Sequence, residues 1–244
     1  MAKAMSAARP GSDPDEWAHM LKYLQSNEEP FLELACGYGR MLLSIMEAGY
    51  RIVGTDSSPE MLEQCRVLAR QKGLQPVLQQ QFMQRLSLDE KFGFIFIDDC
   101  TFTLVIEDQD VIDLFERVWI HLKPGGTFLF DFFPFKPDAQ PTNDQLSTCW
   151  VKAPDNSIYV SRKIQSYDPR TGITRTLQIH DRYVYGKFVS SQAYEDPNRN
   201  HDPSVVMDLL SKIGFIDIKL GGYHSDDPPA SDASMVSIRC KKPK

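Results

Sequence analysis

The chain has 244 residues, of which 42% are hydrophobic and 25% charged, with a formal net charge of −6. These are ordinary globular values, enough for one α/β domain with a modest insertion, and they exclude global disorder. The acidic balance gives no reason to expect a nucleic-acid partner, whose binders are more often basic. No run reaches the roughly 18 apolar residues of a membrane span. Residues 1–12 lack the apolar stretch of a signal peptide and read as a flexible tail. The cysteines Cys36, Cys65, Cys100, Cys149 and Cys240 are scattered and without CxxC spacing. They read as reduced thiols of a cytoplasmic protein, with no disulfide framework and no metal site.

Residues 13–146 read as the first part of an α/β core. Asp13, Pro14 and Glu16 suit an N-cap, first helical position and capping-box acid, with Trp17, Met20, Leu21 and Leu24 following at helical spacing. A strand over Phe31–Ala35 ends in the glycine turn Cys36-Gly37-Tyr38-Gly39, and a helix through Leu42, Leu43 and Met46 stops at Gly49. Arg51–Thr55 is a second strand, closed by Asp56. Ser58 and Pro59 start a helix carrying Leu62, Cys65 and Ala69, which ends near Gly73. Gln75–Gln80 and Phe92–Ile97 follow as strands, the second almost continuously apolar, as strands covered on both faces are. Val111, Leu114, Phe115, Val118 and Leu122 mark another helix, and the turn Lys123–Gly126 delivers a fifth strand, Thr127–Phe132. Alternation of strand and helix with short connections predicts a doubly wound sheet.

The rhythm then changes. Residues 134–146 read as a loop, and 147–196 as an antiparallel β insertion with period-two alternation. Ile158, Val160 and Ile164 share one face of a strand, and Leu177, Ile179, Tyr183 and Tyr185 one face of the next. Turns fall at Asp168–Gly172 and Tyr185-Gly186-Lys187. Residues 197–244 complete the core: a helix from Asp202 and Pro203 to Gly214, then strands over 215–220 and 235–240.

Two glycines after an apolar strand, with an acid closing the next strand about 19 residues later, suit a nucleotide-type ligand at the carboxyl ends of parallel strands. The glycines let backbone approach the ligand, and the acid can accept hydrogen bonds from ribose hydroxyls. Leu42 stands where a dinucleotide fingerprint has its third glycine, and Glu33 lies four residues before the first.

With these residues the chain resembles the class I S-adenosylmethionine-dependent methyltransferases. Glu33-Leu34-Ala35-Cys36-Gly37-Tyr38-Gly39-Arg40 matches their first motif, Asp56 their second, and Leu122-Lys123-Pro124-Gly125-Gly126 the turn before their fifth strand. The resemblance implies a Rossmann-like sheet with helices on both faces and S-adenosyl-L-methionine as cofactor. By the same resemblance Ala35, Gly37 and Gly39 line the methionine moiety, and Glu33 organises that loop or meets the ammonium group. Asp56 would hold the ribose, with Ser57 and Met61 against ribose and adenine. Phe82, with Met83 beside it on the cofactor side, falls where the family has its adenine-side acid, so backbone groups or Gln84 would take over that contact. Asp98 matches the fourth motif, facing methionine and substrate; a solvated loop acid is its other reading.

The layout also resembles that of bacterial small-molecule methyltransferases, including those that dimethylate amino sugars. That implies a small-molecule acceptor under the inserted sheet and allows a homodimer through it. His180 and Arg182 project opposite Leu177, Ile179 and Tyr183, either into the acceptor pocket as catalytic groups or onto a solvated face. His201 reads as a loop residue rather than a base. Asp227-Pro228-Pro229-Ala230 evokes a base-amine motif but lies near the C-terminus and lacks the aromatic. The expectation is methyl transfer to an N or O atom of a small molecule. An RNA or protein methyltransferase and a non-catalytic cofactor-binding protein stay open as alternatives.

Overall fold

The computed structural model describes residues 14–153 and 155–244. The expected tail at 1–12 and the expected N-cap Asp13 lie outside the described residues. A seven-stranded sheet runs in the order β11-β12-β5-β4-β1-β2-β3. Its strands are β1 (Phe31–Leu34), β2 (Ile52–Asp56), β3 (Val77–Gln80), β4 (Phe92–Ile97), β5 (Leu122–Phe132), β11 (Ile216–Gly222) and β12 (Val236–Lys241). Pairings from β5 through β4, β1 and β2 to β3 are parallel, and β12 is antiparallel to both neighbours. The chain winds outward from β1 to β3, then returns to the other side of β1 for β4. This reversal opens a crevice at the carboxyl ends of β1 and β4, the place where open α/β sheets bind ligands.

Helices α1 (Pro14–Ser26), α2 (Arg40–Glu47), α3 (Pro59–Gln71), α4 (Asp108–His121) and α5 (Pro203–Ile213) cover the sheet. Alternation along the central strands sends side chains to both faces. Phe94, Phe96 and Leu129 pack with Met20, Leu24, Met41, Leu42 and Cys65 of the first three helices. Ile95, Ile97, Phe128, Phe130 and Phe132 pack with Leu114, Phe115, Val118, Val206 and Leu210 of the last two. Each fully buried Leu or Phe contributes roughly 1.5–3 kcal/mol. By the same alternation Asp131 shares the face of Leu129, so a buried acid points toward α1.

The helix signals read from sequence hold at α3 and α5. The Ser58 and Asp202 side chains accept from the amides of Met61 and Ser204, and Gly214 ends α5 in the left-handed region at φ 113°. At α1 the buried face is Glu16, His19, Met20, Tyr23 and Leu24, with Trp17 and Leu21 only partly buried. Glu16, expected as a capping acid, turns inward instead.

The inserted sheet consists of β6 (Thr142–Lys152), β7 (Ser157–Asp168), β8 (Ile173–Val184), β9 (Lys187–Glu195) and the short β10 (Asn198–Arg199). It starts earlier than expected: Thr142 pairs with Tyr167 and Gln145 with Gln165, so 142–146 is strand rather than loop. β10 pairs with β8, which extends the insertion to Arg199. Tyr185 does not share a face with Tyr183; it lies in the turn, at φ 49° before Gly186 at φ 74°. Two consecutive positive φ values are the signature of a type I′ hairpin. β5 begins at Leu122, taking the Lys123–Gly126 turn into the strand at a register shift against β4.

Candidate cofactor and methyl-transfer site

The first element of the site is the turn that ends β1. β1 stops at Leu34, and Ala35 (φ 55°), Gly37 (φ 55°) and Gly39 (φ 85°) fold the loop through the left-handed region. For Ala35 this is an uncommon conformation, held here by a Cys36 amide bond to the Thr55 carbonyl at 2.9 Å. A Cβ at Gly39 would come within 2.4 Å of Cys65 Sγ, so only glycine lets the loop lie against α3. Asp56 closes β2 beside it. One carboxylate oxygen accepts the Gly37 amide and the other the Ser58 amide, both at 2.8 Å. Burial pushes the Asp56 carboxyl up, and those two amides act against the shift. A carboxylate has about four acceptor positions, so capacity for a ligand remains.

The residues expected around adenine are placed unevenly. Met61 is buried and packs with Tyr38 and Leu68, while Ser57 is exposed and its carbonyl accepts from Gln80 Nε2. Phe82 is 57% exposed just after β3. Met83 starts the short 3-10 turn Met83–Arg85 and packs against the cluster around α4.

Glu33 is buried, its Oε2 has no hydrogen-bond partner, and the Leu42 amide faces its carboxyl from the first turn of α2. Burial and the neighbouring Asp98 charge push its pKa well above the ordinary range. This orphaned buried oxygen behind the glycine loop fits a donor such as an ammonium. Beside it, Arg40, the first residue of α2, joins three elements. Its guanidinium binds both carboxylate oxygens of Glu16 on α1 and donates to Asp98 Oδ2, just after β4, at 2.6 Å. Burial opposes ionisation of Asp98, but the His224 ring and the Arg40 charge outweigh it and hold its carboxyl below the ordinary range. Glu16 is shifted the other way, up, chiefly by burial.

His224 completes the cluster from the segment between β11 and β12. Its Nε2 lies 3.7 Å from Asp98 Oδ1, 3.9 Å from Glu16 Oε1 and 4.0 Å from Asp131 Oδ2. Glu16, Asp98 and His224 could span a metal, their ligand atoms lying within 4.8 Å of one another. Arg40 already pairs with both carboxylates, and a dication beside its guanidinium would be repelled.

Glu16, His19, Arg40, Asp131 and His224 were not assigned to the site from sequence. Asp131 had a signal, a charge inside the apolar run Phe128–Phe133. Arg40 stood in the quoted motif without a role. His224 had none, because its partners are distant in the chain. His180 and Arg182, expected as catalytic, lie on the polar face of the inserted sheet. His180 bonds Ser161 Oγ at 2.7 Å and the Tyr194 hydroxyl at 3.1 Å, and Arg182 pairs with Asp155 and Ser157. These bonds stay within the insertion, whereas Asp98 gathers partners from the core. His201 lies between β10 and α5, outside both, where it is buried and stacks on Phe102 at 4.4 Å.

A switch-point crevice with a glycine loop, a strand-terminal acid and a buried acidic cluster defines a nucleoside-cofactor enzyme of the α/β class. The comparisons narrow this further. Residues 31–126 match the family model described as "Methyltransferase domain". The chain is 32% identical over 239 residues to the Bacillus subtilis (strain 168) protein named "Putative methyltransferase YqeM", covering 94% of this chain and 91% of that one. Among solved structures, an S-adenosylmethionine-dependent methyltransferase from Clostridium acetobutylicum ATCC 824 superposes with a TM-score of 0.80 at 19% identity, over 98% of this chain and 96% of that one. The sugar N-methyltransferase KedS8 from Streptoalloteichus sp ATCC 53650 does so with 0.73 at 13% identity, over 94% and 87%. The chain belongs to the class I S-adenosylmethionine-dependent methyltransferases. Among the described residues no helix is long and apolar enough to cross a membrane.

Proposed function

We propose that the protein transfers a methyl group from S-adenosyl-L-methionine to an N or O atom of a small-molecule acceptor. The observation that carries this reading is where the inserted sheet is anchored. Asn198 Oδ1 accepts from Thr103 Oγ1 at 3.1 Å, and Arg199 Nη1 donates to the Ile106 carbonyl at 2.7 Å. The sheet is thereby tied to the segment that follows Asp98, at the carboxyl edge where a methyl group would emerge. A cover in that place suits a compact acceptor, and the sugar N-methyltransferase KedS8 has the same overall fold.

The cofactor supplies a methyl group already activated by the sulfonium charge. Ala35, Gly37 and Gly39 would line its methionine part, with Glu33 Oε2 facing the ammonium. Asp56 would take the ribose hydroxyls, with Met61, Ser57 and the exposed Phe82 toward the nucleoside. The protein's main work is then alignment and exclusion of water, and positioning of this kind is worth roughly 7–11 kcal/mol of barrier. His180 and Arg182 would shape the polar face of the cover rather than touch the reacting atoms.

Its other face is mixed. Ile158, Val160, Ile164, Leu177, Ile179 and Tyr183 lie there around the ion pair of Arg162 and Asp181 (2.6 Å), with Leu146 (66% exposed) and Trp150 (70% exposed) along β6. A second copy of this chain suits such a face, giving a homodimer through the inserted sheet. The five unpaired cysteines fit a reducing, cytoplasmic setting.

The test is a partition of label. Incubating the protein with methyl-labelled cofactor and a cell extract should place label in a low-molecular-weight product. Label confined to RNA or protein would replace this reading with the macromolecular one.

A further inference from the structure

We propose that a small cavity walled by α1, the ends of β4 and β5, and the 223–235 segment receives the protonated amino group of the acceptor. His224 Nε2 takes the proton that must leave before methyl transfer. This deepens the small-molecule reading and rests on it.

The cavity measures about 20 Å³, and Glu16, His19, Asp98, Asp131, His224 and Ser237 contribute to its wall. Roughly 10–15 Å³ is enough for one group the size of a water, so an ammonium head fits and a whole metabolite does not. Two of its walls are imidazoles with unsatisfied ring nitrogens. His19 is only 5% exposed, and neither of its ring nitrogens has a hydrogen-bond partner. His224 Nε2 is likewise buried and makes no hydrogen bond of ordinary length, its neighbours being carboxylates 3.7–4.0 Å away. A buried polar atom without a partner is destabilising, a cost that a donor entering the cavity would offset.

The remaining polar groups favour a cationic donor over a hydroxyl. Asp98 Oδ1 and Asp131 Oδ2 sit 3.7 and 4.0 Å from Nε2, so an ammonium with three N–H donors can meet both carboxyl groups and the ring. Glu16 and His19 face the cavity from α1, Asp98 from the end of β4 and Asp131 from β5. Arg40, the one guanidinium in the cluster, is occupied by Glu16 and Asp98. The ring itself is fixed: Tyr223 stacks on His224 at 3.7 Å, and His224 is held at φ 50°. Asp99 (φ 58°) and Cys100 (φ 56°), directly after Asp98, are held in the same left-handed region, and strained backbone of this kind clusters at functional sites.

The step balances. R–NH3+ passes one proton to Nε2 and becomes R–NH2. Its lone pair forms the N–CH3 bond as the C–S bond breaks, and the bonding electrons cancel the sulfonium charge. The product leaves as R–NH2CH3+, and His224 returns its proton to solvent.

The experiment uses the full chain saturated with S-adenosylhomocysteine, whose binding is measured first. Failure at that stage would count against the cofactor assignment and not against the amine site. Cyclohexylamine and its neutral isostere cyclohexanol are then titrated by calorimetry, and the ring nitrogens are followed by 15N NMR on histidine-labelled protein. The amine should bind at least tenfold more tightly than the alcohol. It should also move one Nε2 signal, absent in H224Q, toward the protonated position. D131N should weaken amine binding several-fold while keeping S-adenosylhomocysteine affinity. If D131N does not fold, the H224Q comparison and the isostere pair still decide. Equal binding of amine and alcohol, no amine binding, or an unchanged His224 signal on amine binding would overturn the proposal.

Discussion

Arg40 and Asp98 are 58 positions apart in the chain, yet Nη2 of one donates to Oδ2 of the other at 2.6 Å, with side chains only 8% and 9% exposed. The bond ties the start of α2 to the end of β4, across the crevice where the strand order reverses. Because Glu16 holds the same guanidinium, α1 is fastened to both. Removing one member of a buried ion cluster strands the others in a medium that solvates them poorly.

Arg40→Ala should therefore cost about 3–5 kcal/mol of stability, the usual range for a broken buried pair. In a chain of this size that corresponds to a fall in Tm of roughly 10 °C, measurable by scanning calorimetry. A change under 2 °C would mean that water already screens the cluster.

Asp56→Ala should weaken S-adenosylhomocysteine binding at least tenfold in a protein that still folds. Two causes add: the loss of ribose acceptors, at roughly 1.5–3 kcal/mol for each charged hydrogen bond, and the release of the Gly37 amide that shapes the loop. Calorimetry of the variant decides, and unchanged affinity would reduce Asp56 to a tie between loop and helix.

His201 gives the protein an acid-sensitive position. Burial, with the Arg199 charge, pushes its imidazole down to about 4. Between about pH 4 and 6.5 the unfolded chain therefore binds more protons at this residue than the folded one, so stability falls as pH drops through that window. Glu33 and Asp131, whose carboxyls are held high, act in the opposite sense. The difference between variants isolates the histidine. His201→Asn, whose Nδ2 can replace the ring donor, should lose about 2 kcal/mol less than wild type between pH 7.5 and pH 5, read from urea unfolding at both pH values. Parallel losses in the two proteins would contradict the assignment.

Much of the core was legible because its signals are local. Apolar runs gave the central strands, and Ser58-Pro59, Asp202-Pro203 and Gly214 gave helix ends whose chemistry involves only near neighbours. The edge strand β6 was missed at its start because Thr142, Asn143, Asp144 and Gln145 are polar and largely exposed, so no alternation marks them. Glu16 was misread because one acid at the third helical position serves a cap or a tertiary pair equally well, and only the fold brings Arg40 within reach. The acidic cavity was not legible at all, since α1, β4, β5 and the 223–235 segment meet only after the sheet forms.

The face of the insertion that carries Leu146 and Trp150 should hold two copies together. Trp150→Glu places a charge on its exposed edge strand β6 and should convert a dimer to a monomer in sedimentation velocity, with S-adenosylhomocysteine affinity unchanged. A wild-type protein that sediments as a monomer at micromolar concentration would contradict the interface.

The most direct measurement is calorimetry of the wild-type chain against S-adenosylhomocysteine and NADH. On the proposed reading Glu33, the Gly37–Gly39 loop and Asp56 would hold a nucleoside joined to an amino acid, with Leu42 where a dinucleotide site needs a third glycine. S-adenosylhomocysteine should bind with a Kd in the micromolar range and NADH should give no heat. Tight NADH binding with none by S-adenosylhomocysteine would contradict the cofactor site described here.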